Sequence, residues 1–224
     1  MKNNNTNVLR DCKNSDTPLI KAENYGKKYI GEVDRSGQRQ AFHFSPPVGW
    51  MNDPNGFSFY SGRIQLFYQY NPYSNDWNTM HWGHASSKDF VKWEHEQVAL
   101  APDMPYDGAE GGGCFSGSAI EFNGKYWLVY TGVGYDDKIG KFVQTQCVAY
   151  SDDGIAFTKY ADNPVIALEK GLPAGSRPTD FRDPKVWEHD GYVYMIVSAG
   201  NEADEFARLL LYRTQNMTEW QCVG

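Results

Sequence analysis

The sequence predicts an all-β fold built from repeated units, on three observations. Of the 224 residues, 41% are hydrophobic, 15% are aromatic and 22 are glycine. This composition, with short apolar runs between turn residues, is typical of β-architecture. A glycine turn followed by an aromatic-rich strand recurs at Gly62, Gly124 and Gly191, with spacings of 62 and 67 residues. We therefore expect three similar units in succession.

The N-terminal segment lies outside this repeat. Residues 1–17 are polar and rich in asparagine, and they lack the apolar stretch that a signal peptide requires. Residues 21–29 can form a short helix, although Gly26 disfavours it. We expect residues 1–35 to be an N-terminal extension that packs on the repeated domain of residues 36–224.

Each unit contains a second pair of predicted strands after the first pair. The first strand of this second pair leads to an aromatic residue near the end of the unit. These strands are 81–86, 146–151 and 208–213, and the closing aromatics are Trp93, Phe157 and Trp220. Four strands per repeat form the blade of a β-propeller, so the chain is predicted to hold about three blades. The alternative is a chance likeness among β-hairpins.

The run from Trp50 to Gly56, Trp-Met-Asn-Asp-Pro-Asn-Gly, places one carboxylate on a stiff backbone. Pro54 biases Asp53 away from the helical region, and the following Asn-Gly is a turn signal. Trp50 and Met51 add apolar surface beside the acid. An acid held in this way next to a flat aromatic suits attack on a sugar. The alternative is an Asx-type turn between two strands.

The repeat brings two more polar residues into the same register as Asp53. Asp53 precedes its turn glycine by nine residues, and Ser116 and Asp183 precede theirs by eight. The first strand of each propeller blade lines the central channel, so we expect all three at the channel mouth. Two acids across a pocket suggest glycoside hydrolysis, with Asp53 as nucleophile. Arg182 is expected to help keep Asp183 charged, unless Arg-Asp-Pro is only a turn with a surface ion pair.

Charge and cysteine usage exclude several other functions. The chain has 28 acidic and 21 basic residues and a net charge of −7, without the basic stripe that nucleic-acid binding requires. No apolar run is long enough to span a membrane. The four cysteines show no metal-binding spacing and are predicted to be free thiols in the cytoplasm. They are Cys12, Cys114, Cys147 and Cys222.

Four motifs, in this order, resemble glycoside hydrolase family 32, which contains invertases, sucrose-6-phosphate hydrolases, levanases and inulinases. They are Asn52-Asp53-Pro54-Asn55-Gly56, Phe67-Tyr68-Gln69-Tyr70-Asn71-Pro72, Cys114-Phe115-Ser116-Gly117-Ser118-Ala119 and Phe181-Arg182-Asp183-Pro184. The resemblance covers roughly residues 40–224. It implies a five-bladed propeller and a retaining mechanism without a metal or organic cofactor. The implied substrates are β-D-fructofuranosides, and a cytoplasmic location favours sucrose or sucrose 6-phosphate over fructans.

The resemblance also assigns roles to individual residues. Asp53 corresponds to the nucleophile and Asp183 to the transition-state stabiliser. The remaining candidates are implied to line or flank the fructose pocket. They are Trp50, Met51, Asn52, Gln69, Trp77, Phe115, Ser116 and Arg182.

The proton donor of that family is a Glu followed by Cys, and no Glu-Cys pair occurs in this sequence. The repeat spacing places the missing Glu about 10 to 20 residues beyond Gly224. We therefore expect little or no hydrolase activity from these residues alone, and self-association through open propeller edges. Two alternative functions stay open: a non-catalytic sugar-binding fragment, and a related propeller glycosidase that acts on arabinan or xylan.

Overall fold

The computed structural model describes residues 17–40, 42–203 and 206–224, so predictions for residues 1–16, including Cys12, lie outside it. These ranges contain helix α1 (Pro18–Arg35) and twelve strands in three antiparallel sheets, each with four strands. The sheets are β1 (Trp50–Tyr60), β2 (Arg63–Asn71), β3 (His81–Ser87) and β4 (Trp93–His95); β5 (Gly113–Phe122), β6 (Lys125–Asp136), β7 (Lys141–Ser151) and β8 (Thr158–Lys159); and β9 (Ser176–His189), β10 (Tyr192–Asn201), β11 (Arg208–Thr214) and β12 (Gln221–Cys222). The all-β prediction and the three four-stranded units are confirmed.

The recurring glycine turn is the hairpin that joins the first two strands of each sheet. Both central residues of every such turn have a positive φ, between 49° and 75°. These pairs are Ser61-Gly62, Asn123-Gly124 and Asp190-Gly191. Positive φ at both positions is the type I′ turn, whose backbone twist matches that of the flanking strands. The glycine therefore sets the register of each hairpin.

The three sheets pack face to face as propeller blades. Strand β1 contacts β5, and β5 contacts β9, so the first strands of successive blades are neighbours. Between the first two blades, the core includes Phe67 and Trp82 from one sheet and Leu128 and Tyr130 from the next. A second core fills the space between the second and third blades. Most of the residues in β3 and β6 are buried, which explains the apolar run in β6.

Helix α1 covers an outer face of the first blade. Thr17 caps the helix by accepting a hydrogen bond from the N–H of Ile20, at 3.3 Å. The face of α1 that packs on the blade continues past the predicted residues 21–29, through the partly buried Ile30 and Val33, so the helix is longer than predicted. No helix in the described ranges is long and apolar enough to cross a membrane. The division of the chain at residue 35 stays a prediction.

A buried ion pair joins the second blade to the segment that leads into it. Asp107 is fully buried, and its Oδ2 lies 2.7 Å from Nζ of Lys159 and 3.1 Å from the hydroxyl of Tyr130. Lys159 also donates to the carbonyl of Ala101 and to Asp103, each at 2.6 Å. Burial makes an unpaired charge costly, so these contacts hold residues 101–107 against β8.

We expect the Lys159→Met substitution to destabilise the fold strongly, because it leaves the carboxylate of Asp107 buried without its cation. The free energy of unfolding should fall by about 3–5 kcal/mol. Urea denaturation measures this change. The matched control is Lys125→Met, which removes the exposed pair with Asp152 and should cost much less. Equal losses for the two variants would contradict the importance of the buried pair.

Candidate active site

A register irregularity in each first strand marks the candidate site. At this point the first strand carries one residue more than its partner, which is a β-bulge. The residues inside the bulges are Asn52 and Asp53 in β1, Ser116 in β5, and Asp183 and Pro184 in β9. Because a bulge redirects the side chain it carries, the same local feature presents all three predicted residues at equivalent positions of successive blades.

Strand β1 contains a second bulge, between Asn55 and Ser58. It adds one residue between the site and the hairpin, which explains why Asp53 precedes its turn glycine by nine residues instead of eight. Gly56 lies in this bulge at φ +53°, where a Cβ would come within 2.8 Å of Phe67 and 3.0 Å of Ala119. Glycine is required here both by the backbone conformation and by close packing on the second blade.

The structure brings Asp53 and Ser116 into direct contact, although they are 63 residues apart in sequence. The Ser116 hydroxyl donates to Oδ2 of Asp53 at 2.9 Å, while Asp53 itself stays exposed. A second link runs from the N–H of Gly117 to the side-chain oxygen of Asn55, at 3.3 Å. Among the described residues, Oδ1 of Asp53 has no hydrogen-bond partner, so this oxygen is free to contact another molecule.

Asp183 lies near enough to Asp53 for the two charges to interact. Partial burial raises the pKa of Asp183, the Arg182 guanidinium opposes this, and the Asp53 carboxylate raises it further. The net direction is upward because burial outweighs Arg182, which acts as expected by favouring the charged form. The guanidinium is not aimed at Asp183 alone: its Nη1 lies 2.7 Å from Asp180, whereas its Nε lies 3.7 Å from Asp183. The guanidinium is shared, and Asp180 takes the shorter contact.

Two further predicted residues contact neighbours of Asp53 or Ser116. Trp77 is 48% exposed, and its ring lies edge-on to Phe115, the residue before Ser116, with centroids 5.9 Å apart. Asn52 receives a hydrogen bond from the indole of Trp50 at 2.8 Å, which orients the amide beside Asp53.

Other predicted residues serve the site less directly. Gln69 is buried, and its amide donates to the carbonyl of Cys114 at 2.9 Å, so part of its hydrogen bonding supports the neighbouring strand. Met51 packs against the core beneath α1. Met51 and Trp50 also line a cavity of about 720 Å³ with residues that follow α1, among them Arg39 and Phe44. Neither Asp53 nor Asp183 lines that cavity.

The buried thiol beside the pocket is not a nucleophile. Cys114 is fully buried, and burial together with the neighbouring carboxylate of Asp107 raises the pKa of the thiol well above its usual range. A protonated, enclosed thiol packs as a small apolar side chain. Cys147 and Cys222 are also free, as predicted.

Sequence reasoning missed the residues that support Asp183. The side chain of Thr131 on β6 contacts Asp183 in the bulge of β9, and those of Gln144 and Gln146 on β7 contact Phe181 just before it. Gln144 and Gln146 are two apart in a strand, so they lie on one face of β7. A pair of amides on a buried strand face was the signal that could have found them, since buried polar groups need partners.

Comparison with known proteins gives consistent results. Residues 43–224 match the family model for the glycosyl hydrolases family 32 N-terminal domain. The sucrose-6-phosphate hydrolase of Zymomonas mobilis is 41% identical over 208 residues, which are 90% of this chain and 39% of that protein.

Solved structures show the same fold. A mutant of the Bombyx mori β-fructofuranosidase in complex with sucrose has a TM-score of 0.79 and 38% identity, over 91% of this chain and 41% of that one. The Lactobacillus gasseri sucrose-6-phosphate hydrolase has a TM-score of 0.77 and 29% identity, over 89% and 39%. The chain thus spans about two fifths of the length of these relatives.

We expect the Asp53→Asn substitution to lower the pKa of Asp183. The Asp53 charge disfavours ionisation of Asp183, so replacing it with a neutral amide of the same shape removes one of the causes that raise this pKa. Carboxyl NMR titration of the variant and the parent chain measures the change. The control is Asp152→Asn, at an exposed ion pair with Lys125 away from the bulges. An unchanged or higher pKa of Asp183 in the Asp53 variant would contradict the assigned geometry.

Proposed function

The chain belongs to glycosyl hydrolase family 32, and on this premise we propose that it supplies the nucleophile half of a β-fructofuranosidase active site. The substrates are terminal β-D-fructofuranosides, with sucrose or sucrose 6-phosphate first. Family membership favours fructosides over arabinan or xylan. A cytoplasmic location and self-association through propeller edges stay predictions.

One observation carries the proposal: Ser116 holds Oδ2 of Asp53 from the neighbouring blade and leaves Oδ1 available. In the first step, Oδ1 attacks C2 of the fructosyl unit and the C2–O bond to the leaving group breaks. The electron pair of that bond passes to the leaving oxygen, which takes a proton from a carboxylic acid. The product is a fructosyl ester on Asp53. Ser116 keeps the attacking carboxylate in one orientation, so little rotation is required to reach C2.

Asp183 stabilises the positive charge that develops on the sugar ring. Its charge interacts with that of Asp53, and above its pKa Asp183 is an anion that stabilises the oxocarbenium-like transition state. Burial raises the free energy of the charged form of Asp183. The positive charge that develops on the sugar ring during the reaction lowers that free energy again. In the second step, water attacks C2 and gives a proton to the carboxylate that the acid became in the first step. The ester bond breaks, and Asp53 is released as a carboxylate with retention of configuration.

The Glu-Cys pair that the family resemblance implies as proton donor does not occur in these 224 residues. The leaving oxygen of sucrose is strongly basic and needs that proton. An aryloxide leaves without one, because its negative charge is delocalised over the ring. An activated aryl fructoside therefore tests Asp53 separately from the missing acid.

We expect the 224-residue chain to release about one equivalent of aryloxide from an aryl β-D-fructofuranoside and to gain one fructosyl group. Intact mass and peptide mapping should place that group on Asp53. Asp53→Asn should release none, and Asp183→Asn should slow the release by roughly 100-fold. The exposed variant Asp152→Asn should behave as the parent.

Two outcomes would contradict this function. A fructosyl group on another residue would remove Asp53 from its role. Binding of the aryl fructoside with no aryloxide release, in a folded chain, would instead favour the non-catalytic sugar-binding alternative. Sucrose should be hydrolysed far more slowly than the aryl substrate reacts, and equal rates would show that a proton donor is present within the chain.

A further inference from the structure

The backbone at Asp183 is strained and is not supported by its own sheet. Asp183 has φ +63°, in the left-handed region that non-glycine residues seldom adopt. In the pairing of β9 with β10, Arg182 faces Ser198 and Lys185 faces Ile196. Asp183 and Pro184 thus share a bulge, and this conformation needs support from elsewhere.

That support comes from the second blade. Thr131 Oγ1 accepts a hydrogen bond from the N–H of Asp183, at 3.2 Å. Two glutamines of β7 hold the residue that precedes Arg182: Gln144 accepts from the N–H of Phe181 at 2.7 Å, and Gln146 donates to its carbonyl at 2.9 Å. Thr131 and Gln146 are fully buried and Gln144 is 9% exposed, so water does not replace these bonds easily.

The first blade supports the second in an equivalent way. Gln69 faces Trp82 in the pairing of β2 with β3, as Thr131 faces Gln146 in the pairing of β6 with β7. Gln69 donates to the carbonyl of Cys114, and the Trp82 indole donates to that of Phe115 at 3.0 Å. These carbonyls lie directly before the bulge of Ser116. The second and third strands of one blade therefore hold the bulge of the next.

We propose that Thr131 is a positioning residue for Asp183, acting together with Gln144 and Gln146 to aim its carboxylate at the sugar ring. This inference rests on the proposed function, since it assigns Asp183 to the reaction. Thr131 touches neither the nucleophile nor the pocket in the described contacts. It acts on catalysis only through the direction of the Asp183 side chain.

The groups that face Asp183 allow geometry to be separated from charge. The charged groups are Arg182 and Asp180 on β9 itself and Asp53 on β1. The neighbours from β6 and β7, Thr131 and Gln144, are neutral. Changing Thr131 therefore alters no charge. If the pKa of Asp183 falls on that substitution, its carboxylate has moved away from Asp53 and towards solvent.

The test compares three variants of the 224-residue chain. Thr131→Val keeps the shape of the side chain but removes the acceptor, and Thr131→Ser keeps the hydroxyl. Thr145→Val is the matched control, because Thr145 is buried on β7 and its hydroxyl donates within the blade to the carbonyl of Gly132, at 3.3 Å. Each variant is assayed for the rate of aryloxide release, for its affinity for the aryl fructoside, for its Tm and for the pKa of Asp183 by NMR.

Thr131→Val should slow aryloxide release by roughly 10- to 100-fold, with affinity changed by less than about twofold. The pKa of Asp183 should fall, and Thr131→Ser should restore both values. Thr145→Val should lower Tm by a similar amount without either change. Equal rates for the two valine variants, or a lower rate without a change in the pKa of Asp183, would overturn the proposal. If the parent chain releases no aryloxide, the proposed function fails, and the NMR comparison still decides whether Thr131 positions Asp183.

Discussion

The β-bulge in the first strand of each blade is the constraint on which the rest of the site depends. A regular strand would present alternate residues to the two faces of the blade. One extra residue breaks that alternation and leaves Asp53, Ser116 and Asp183 unpaired at the same depth of three successive strands. The type I′ hairpins fix how far each bulge lies from its turn, so the blades present their bulges together. The geometry of the candidate site is thus a consequence of strand register.

Bulges leave backbone groups without partners, and side chains from neighbouring blades supply them. Thr131 accepts the N–H of Asp183, and Gln69 donates to the carbonyl of Cys114. Ser118 adds a hydrogen bond to the carbonyl of Pro184 at 2.7 Å. Adjacent blades meet through side-chain packing, so these polar contacts determine how one first strand is set against the next. The same contacts that join the blades also orient the site.

The two carboxylates are held in different environments. Asp53 is exposed and receives a neutral hydroxyl donor, whereas Asp183 is partly buried between an anion and a shared guanidinium. Arg182 divides its charge between Asp180 and Asp183 and does not fully neutralise either. An anion that is stabilised only partly in the resting site can gain more from a positive charge that appears during the reaction.

The sequence by itself determined the repeat, the hairpins and the identity of the three bulged residues, because glycine turns, strand patterns and spacing are local properties. It also contained the motifs that identify the family. It did not reveal Thr131, Gln144 or Gln146 as supports, since the bond from Asp183 to Thr131 joins residues 52 apart and exists only when two blades pack. Nor did it predict the direction of the Asp183 pKa, because burial and the choice of Arg182 between two carboxylates are decided by tertiary structure.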